Sequence, residues 1–341
     1  MGYSSSGFYE EIHKRLKKKT IVPSIDAHLH VVDFLQEGES ADALFTEMEA
    51  GNIQKAVVFG MPVKKKWAYY RKDKPSYYLS DNAKCYYYAA TDYVLANWYE
   101  KLSQTRQKRL APLICGFNPT DVGAAQEVLD LLNRYDCWRG LGEILCRHDD
   151  LTNLTMGEVA RPNHEAMFPI YELFAQKNLP ILIHQNATSE WESEDIEAKH
   201  EYLEEFIEVL ERFPETTFVW AHCGVSRRTH VNHYTSKLDQ MLEKYPQLYM
   251  DISWVVFDDV ICDGEEPKKR WLELFEKYPD RVMLGSDLLG HYDDLGRSMG
   301  RYNVLLKKLS KPTLKMLAYD NANKMWFGKR AGEVVDEDEK K

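Results

Sequence analysis

Two histidines close an apolar run near the start of the chain, in the stretch IVPSIDAHLHVV. His28 and His30 are separated by one leucine, and side chains two residues apart on a strand project from the same face. Both imidazoles therefore point to one place, where a metal ion would hold them. Two histidines also meet on solvated faces, so this triplet needs further ligands elsewhere in the chain before it indicates a metal site.

Four more polar side chains lie in or at the end of other apolar runs. They are Glu143 in GLGEI, His184 in LPILIHQN, His222 in TFVWAHCG and Asp287 in RVMLGSD. Each of them alone is ordinarily a hydrogen-bonded core residue. Together they are all of the kinds that bind metals or activate water, and imidazoles with a carboxylate suit Zn²⁺, with Mn²⁺ or Fe²⁺ as alternatives.

The spacing of the apolar runs predicts the elements that position these residues. Eight runs alternate with segments of helical periodicity, at about 21–32, 53–60, 110–118, 138–145, 179–186, 217–224, 248–253 and 281–287. Strands that are almost continuously apolar and separated by amphipathic helices indicate a parallel sheet covered on both faces. A doubly wound open sheet is the competing topology, but no glycine fingerprint follows the first strand.

Eight such units are typical of an α/β fold, the (β/α)₈ TIM barrel, here with N- and C-terminal helical extensions. We predict a helical extension over 1–20, a single catalytic domain over 21–328 that ends in a helix, and a charged, disordered tail over 329–341. Catalytic groups of such a barrel sit at the carboxyl ends of its strands, so the six polar side chains would ring one mouth.

Composition and charge narrow the function classes. The net charge of −10 argues against a dedicated nucleic-acid binder, because phosphate neutralisation needs a basic face. The six cysteines form no C-x-x-C pair, which fits reduced thiols rather than a disulfide framework. Neither a signal-peptide h-region nor a membrane-spanning apolar run is present, so we expect a soluble cytoplasmic protein. Its expected partner is a small-molecule substrate, not nucleic acid or a membrane, and a homo-oligomer is compatible with the sequence.

The sequence resembles the amidohydrolase superfamily of metal-dependent barrel enzymes, in the branch that includes aminocarboxymuconate semialdehyde decarboxylase. The resemblance lies in the order and strand placement of DAHLH, ILIHQN, VWAHCG, MLGSD and the late NANKMW helix. It implies that His28, His30 and His184 bind a divalent metal, most simply Zn²⁺, with Asp287 on it or close to it. It also implies that His222 orients or activates the attacking water or the substrate.

Glu143 departs from a single-metal pattern. It resembles the strand-4 glutamate that bridges two metals in the metal-dependent deoxyribonuclease branch of the same superfamily, which would make two ions rather than one. The alternative is a carboxylate that contacts the substrate or supports a metal ligand. Just beyond it, Arg147 would clamp a substrate carboxylate in a bidentate fork with His148 beside it, unless Arg147 is an ordinary surface arginine.

The resemblance implies a hydrolase in which a metal-activated water cleaves an amide, lactone or ester bond of a small, anionic substrate. Asp287 would take the proton of that water and pass it to the leaving group, while the metal and His222 stabilise the developing oxyanion. The alternative is a metal-dependent, non-oxidative decarboxylase of an aromatic or muconate-type acid, with an arginine holding the substrate's carboxylate. A barrel that has lost activity and serves as a binding scaffold is a third reading, which the complete set of ligands disfavours.

The longest insertion, residues 60–88, follows the second strand and mixes tyrosines with basic residues. Irregular loops of this length usually have a task. At the barrel mouth it would form a lid whose aromatic side chains enclose a planar, anionic substrate. The alternative is that Tyr86, Tyr87 and Tyr88 pack the next helix against the barrel.

Overall fold

The computed structural model describes residues 19–67, 72–75, 84–88, 90–152, 155–189, 201–226 and 234–328. Apart from Lys19 and Thr20, the helical extension predicted over 1–20 lies outside the described residues. The charged tail predicted over 329–341 also lies outside them.

Parallel strands form one large sheet that positions the candidate residues. The strands of the described part are β1 (Ser24–His30), β2 (Ile53–Phe59), β3 (Val63–Lys65), β4 (Cys85–Tyr87), β5 (Leu110–Ile114), β6 (Gly140–Cys146), β7 (Ile181–Gln185), β8 (Phe218–Trp220), β9 (Leu248–Asp251), β10 (Cys262–Asp263), β11 (Glu266–Pro267), β12 (Val282–Met283) and β13 (Leu288–Leu289). The sheet runs in the order β12-β9-β8-β7-β6-β5-β2-β1-β13, and its pairings are parallel.

The last position of the barrel is built from two short strands, β12 and β13. β12 pairs with β9, and β13 pairs with β1, so this part of the chain joins the two ends of the sheet. Backbone hydrogen bonds close the ring between them, since Ala27 N–H donates to Leu284 O and Asp287 N–H donates to His28 O, each over 2.8 Å. The structure therefore confirms the predicted (β/α)₈ barrel.

Helices between the strands cover the outside of the barrel. The α-helices of the described part are Ala41–Ala50, Ala90–Glu100, Gln104–Gln107, Ala124–Arg134, Asp149–Thr152, Phe168–Lys177, Glu201–Arg212, Tyr234–Lys244, Lys269–Lys277, Leu295–Gly300, Asn303–Leu306, Lys311–Lys315 and Asn321–Phe327. Short 3₁₀-helical segments occur at Glu165–Met167 and Ala221–Gly224, and π-helical segments occur at Val256–Ile261 and Met316–Asp320. Each long helix buries one stripe, as Lys269–Lys277 does with Trp271, Leu274 and Phe275 at spacings of three and four.

The apolar core has two large layers, and a small third cluster lies beside the cavity. The larger layer lies between the strands and the outer helices, and the smaller one fills the inside of the barrel. Trp326 of the last helix belongs to the inner layer and packs at the start of β6, because a Cβ on Gly140 would lie 2.6 Å from its ring. The amino-terminal end of the barrel is thus closed by packing, and the carboxyl-terminal end is left for chemistry.

The insertion over 60–88 is more regular at its base than the sequence indicated. β3 and β4 pair antiparallel there, with Val63 opposite Tyr87 and Lys65 opposite Cys85. The helix that follows the insertion is Ala90–Glu100, so Tyr86 and Tyr87 lie in a strand before it. Alternation in this short stretch favours a strand, and pairing across the hairpin stabilises it.

All six cysteines are free, and five of them are buried. Within the described residues, no helix is both long and apolar enough to cross a lipid bilayer.

Candidate metal centre

His28 and His30 lie at the carboxyl end of β1, where both are buried. Their Nε2 atoms face the same two carboxylates. His30 Nε2 lies 3.3 Å from Glu143 Oε2 and 3.3 Å from Asp287 Oδ1. His28 Nε2 lies 3.7 Å and 3.3 Å from the same two atoms. The convergence of the two imidazoles expected from their spacing is therefore present.

Glu143 on β6 lies at the centre of the group. Its Oε2 faces His28 and His30, whereas its Oε1 lies 3.1 Å from His184 Nδ1 and 3.3 Å from His222 Nε2. The side chain is 3% exposed. One buried carboxylate thus separates two pairs of imidazoles.

Asp287 lies on the cavity side of both pairs. Besides its contacts with the β1 histidines, its Oδ2 lies 3.8 Å from His222 Nε2. Its side chain is 14% exposed and lines the cavity above the centre, so it is the more accessible of the two carboxylates.

The outward-facing nitrogens of the β1 histidines have fixed acceptors. His28 Nδ1 lies 3.0 Å from Asp251 Oδ2, and His30 Nδ1 lies 3.2 Å from the carbonyl oxygen of Gly60. A carboxylate and a carbonyl accept hydrogen bonds, so both Nδ1 atoms carry the proton. The Nε2 atoms of His28 and His30 therefore point into the centre.

The other two imidazoles are oriented in the same way by different partners. His184 Nε2 lies 3.0 Å from Asn186 Oδ1, which leaves Nδ1 facing Glu143. His222 Nδ1 lies 2.7 Å from Ser253 Oγ, which leaves Nε2 facing Glu143. Metal-binding histidines are commonly held by outer partners of this kind.

The residues present fit a divalent cation. Two sets of ligand atoms that share Glu143 are close enough to hold an ion, one with His28 and His30 and the other with His184 and His222. Among the described residues, His28 Nε2 is a buried nitrogen with no hydrogen-bond partner, and a bound cation would give it one. A set of imidazole nitrogens and carboxylate oxygens suits Zn²⁺ or Mn²⁺.

Two β-bulges place site residues at the barrel mouth. Asp26–Leu29 of β1 and Leu141–Ile144 of β6 each oppose a shorter stretch of the neighbouring strand. The first bulge contains His28 and the second contains Glu143, and a bulge re-aims the side chain that it carries. Gly142 permits the second one, because its φ is +134° and a Cβ there would lie 2.4 Å from a carbonyl oxygen of β7.

Several residues around the mouth adopt left-handed backbone conformations. The φ angles are 45° at Arg147, 53° at His222, 51° at Cys223, 55° at Trp254 and 55° at Asp287. Such conformations are uncommon for residues other than glycine and cluster at functional sites.

Charge interactions keep both central carboxylates ionised. Burial alone would raise the pKa of Glu143, but the charge of His28 and hydrogen bonds from His184 and His222 hold that pKa well below its usual value. Burial likewise opposes the shift at Asp287, where the charge of His28 and a hydrogen bond from His30 lower the pKa. Ionised carboxylates are the form that binds cations.

The centre opens into a cavity of about 470 Å³ at the barrel mouth. Its wall is partly apolar, with Phe34, Met61, Leu145, Leu151 and Leu289. Its polar lining beyond the centre includes Asp33, Glu37, His148 and His291. Trp254 also lines the cavity, with its ring centroid 5.2 Å from that of His222.

The two residues predicted to bind substrate lie in different places. His148 lines the cavity and stacks on His184 at 4.4 Å and 21°, and burial together with the charge of His184 lowers its pKa well below the usual value. Arg147 is not part of the cavity lining. Its guanidinium forms a bidentate ion pair with Glu205, with Nε donating over 2.9 Å, and lies over the Tyr202 ring. The fork expected for a substrate carboxylate is occupied by a carboxylate of the protein.

The family assignment follows from the sequence as a whole. Residues 25–328 match the family model described as amidohydrolase, which covers most of the chain. The chain belongs to the amidohydrolase family. No curated protein is significantly similar to it in sequence.

Solved structures with the same fold carry names that describe different reactions. A 5-carboxyvanillate decarboxylase from Novosphingobium aromaticivorans, complexed with manganese and 4-hydroxy-3-methoxy-5-nitrobenzoic acid, is 16% identical, with a TM-score of 0.52 and coverage of 91% of this chain and 99% of that one. A dihydroorotase from Campylobacter jejuni is 18% identical, with a TM-score of 0.51 and coverage of 89% and 82%. An amidohydrolase from Burkholderia multivorans with bound zinc is 14% identical, with a TM-score of 0.52 and coverage of 89% and 98%. At such identities the likeness shows the fold alone.

The residues that contact the outer ring nitrogens of the site histidines in this amidohydrolase were not predicted from the sequence. Asp251, Ser253 and Asn186 each contact a ring nitrogen of a site histidine. Asp251 had a usable signal, since it closes the apolar strand LYMD as the other site residues close theirs. Trp254, three residues later, had no comparable signal.

Proposed function

We propose that the protein is a metal-dependent hydrolase that cleaves an amide, lactone or ester bond of a small molecule. The observation that carries this proposal is the position of Glu143, with one carboxylate oxygen facing each pair of imidazoles. A shared carboxylate between two sets of nitrogen ligands supports two cations rather than one.

We assign one cation to His28, His30 and Asp287 and a second to His184 and His222, with Glu143 as the shared ligand. Zn²⁺ and Mn²⁺ both suit these donors. Divalent ions held here would supply Lewis acidity and would lower the pKa of a water molecule from near 16 towards about 7.

Residues of the chain handle the proton. Asp287 is ionised and faces the cavity, so its carboxylate takes the proton of the attacking water and delivers it to the leaving group. In this assignment His222 acts by holding a cation beside the reacting atoms, and Ser253 keeps its ring in place.

The cavity limits the substrate to a small molecule. A volume of about 470 Å³ with a mixed apolar and polar lining is typical of small-ligand sites. Among the described residues its lining contains no lysine or arginine, and Lys74 pairs with Glu37 at 2.5 Å. Within this described part of the lining, an anionic group of the substrate would meet positive charge from the cations.

Decarboxylation of an aromatic or muconate-type acid is the second candidate, and some solved structures of this fold carry that activity in their names. That reaction was expected to use an arginine to hold the substrate's carboxylate. Arg147 binds Glu205 instead, and among the described residues no arginine lines the cavity.

The six free cysteines support a reducing compartment, so we keep the cytoplasm as the proposed location. The proposed partner is the small-molecule substrate.

Metal analysis combined with a parallel substrate screen tests the proposal. The protein is purified without chelator, analysed for Zn, Mn and Fe, stripped, and reloaded with each ion. Amides, lactones and esters are scored for acid release, and carboxylated aromatics for carbon dioxide. We expect cation-dependent hydrolysis that Asp287→Asn removes and that Asp263→Asn, at an exposed position, retains.

Two other outcomes are informative. Release of carbon dioxide without any hydrolysis would assign the second candidate. A protein that binds no divalent cation under any loading condition would overturn both.

A further inference from the structure

One buried carboxylate lies behind imidazoles of both ligand sets. Asp251 closes β9 and is fully buried, as is Ser253 two residues later. Its two oxygens have different partners. Oδ2 lies 3.0 Å from His28 Nδ1, whereas Oδ1 accepts hydrogen bonds from the backbone N–H groups of Ser253 and His222, over 3.0 Å and 3.1 Å.

Ser253 extends the contact of Asp251 to the second ligand set. The Ser253 hydroxyl donates to Asp251 Oδ1 over 2.5 Å, and its oxygen lies 2.7 Å from His222 Nδ1. A hydroxyl has one hydrogen, and this one is directed to the carboxylate. Ser253 Oγ can therefore only accept from the imidazole, so His222 Nδ1 carries the proton.

From this arrangement we infer that Asp251 sets the tautomers of His28 and His222 together, the first directly and the second through Ser253. Both rings then present the Nε2 lone pair to the centre, one in each ligand set. Asp251 and Ser253 are positioning residues, because neither faces the cavity. The inference rests on the proposed function in so far as the lone pairs are there to bind cations.

Asp251→Asn separates the two arms of this network. The asparagine oxygen can keep the three donors on the Ser253 side, and its NH₂ group then faces His28 Nδ1. An NH₂ group donates, so the proton of His28 must move to Nε2, the atom that faces the centre. We expect this variant to weaken cation binding by His28 and His30 while leaving binding by His184 and His222 intact.

Ser253→Ala affects the other arm of the network, which reaches His222. It removes the acceptor of His222 Nδ1 and leaves the contact between Asp251 and His28. Removal of an outer partner typically weakens metal binding by about 10- to 100-fold. We expect a loss of that size in the ligand set of His184 and His222 alone.

Zn²⁺ titration against a chromophoric chelator measures these affinities in variants that keep one ligand set. His184→Ala retains the set of His28 and His30, and His30→Ala retains the set of His184 and His222. Asp251→Asn should weaken Zn²⁺ binding about tenfold or more in the first background and leave it unchanged in the second, and Ser253→Ala should do the reverse. Asp92→Asn is the matched control, because Asp92 is also a buried carboxylate that accepts two backbone N–H groups.

A second readout needs no metal. Nitrogen-15 spectra of the neutral histidine rings in the ion-free protein, recorded at high pH, should show Nδ1-protonated His28 and His222, with Asp251→Asn converting only His28. Equal losses in both backgrounds, or unchanged ring spectra, would overturn the tautomer assignment even if wild type binds two cations. If wild type binds none, the proposed function fails, whereas the ring spectra still decide the tautomers; should Asp251→Asn not fold, Ser253→Ala decides through His222.

Discussion

The Glu143 carboxylate has one oxygen 3.1 Å from His184 Nδ1 and the other 3.3 Å from His30 Nε2. Glu143 can contact both pairs of imidazoles because the two oxygens of its carboxylate are acceptors of equal strength. An amide of the same shape has one acceptor and one donor. The charge and the symmetry of this one side chain are therefore what make two equivalent ligand sets possible.

Glu143→Gln should remove the ligand that the two cation sites share. We expect metal content to fall from two ions to at most one per chain, and turnover to fall by more than the roughly 100-fold that loss of an outer partner costs. Elemental analysis after dialysis measures the content, with the exposed Glu273→Gln as control. Retention of two ions in Glu143→Gln would refute the shared-ligand assignment.

Asp287→Asn should separate binding from turnover. The amide oxygen can still contact a cation, but it cannot take a proton from water at neutral pH. We expect metal to remain bound, more weakly, while kcat falls by about 10² to 10⁴, the usual contribution of a positioned general base. Full activity in this variant would contradict the role of Asp287 in proton transfer.

At the scale of elements, a buried carboxylate links a helix to a strand end by hydrogen bonds. Asp92 in helix Ala90–Glu100 accepts hydrogen bonds from the N–H groups of Cys115 and Gly116, over 3.0 Å and 2.8 Å, just after β5. Burial raises its pKa to about 7, although these hydrogen bonds oppose the shift. Asp92 thus holds its proton in the folded protein at a pH where the unfolded chain has lost it.

This shift predicts how stability depends on pH. The contribution of Asp92 is fully present below pH 4 and is lost as pH rises through about 7, because the folded state binds the proton more tightly. A difference of about three pH units corresponds to roughly 4 kcal/mol. Asp92→Asn should therefore flatten the fall in unfolding free energy of the ion-free protein between pH 5 and pH 8.

Urea unfolding at both pH values tests this prediction. The variant should be less stable than wild type at pH 5, since it loses about 1 kcal/mol with one hydrogen bond, and should recover or exceed wild type at pH 8. The exposed Asp263→Asn should follow wild type at both. Parallel pH dependence in wild type and Asp92→Asn would show that Asp92 titrates normally.

At the scale of the whole molecule, the two ends of the barrel have different tasks. The carboxyl-terminal end carries the polar residues and the cavity, and the amino-terminal end is filled by the last helix. Trp326 is 1% exposed there. Separate groups of residues thus stabilise the fold and carry the chemistry of the site.

Trp326→Ala should lower stability without changing the site. Removal of a buried tryptophan typically costs about 3 to 5 kcal/mol, so the midpoint of urea unfolding should fall. Metal content per folded chain should match wild type, with Trp326→Phe giving a smaller loss of stability. A loss of metal in proportion to the loss of stability would show that the two ends are coupled.

The order of the strands and the site residues at their ends could be predicted from the sequence because both depend on local patterns. Strand-end positions of His28, His184 and Asp287 were read directly from apolar runs. The β3–β4 hairpin was not predicted, because its strands of three residues are stabilised by each other across a long insertion. Arg147 was given to the substrate because nothing local indicates that Glu205 lies beside it.

By itself, the sequence determined the barrel, its family and the kinds of side chain at its mouth, since alternation and residue type are properties of short segments. Only the tertiary structure decided that Glu143 divides the imidazoles into two pairs, that Asp251 stands behind both pairs, and that Arg147 faces another carboxylate. These contacts join residues far apart in the chain. Their geometry depends on β-bulges and on residues with left-handed backbone conformations. Such contacts are fixed by closure of the ring, which no local pattern encodes.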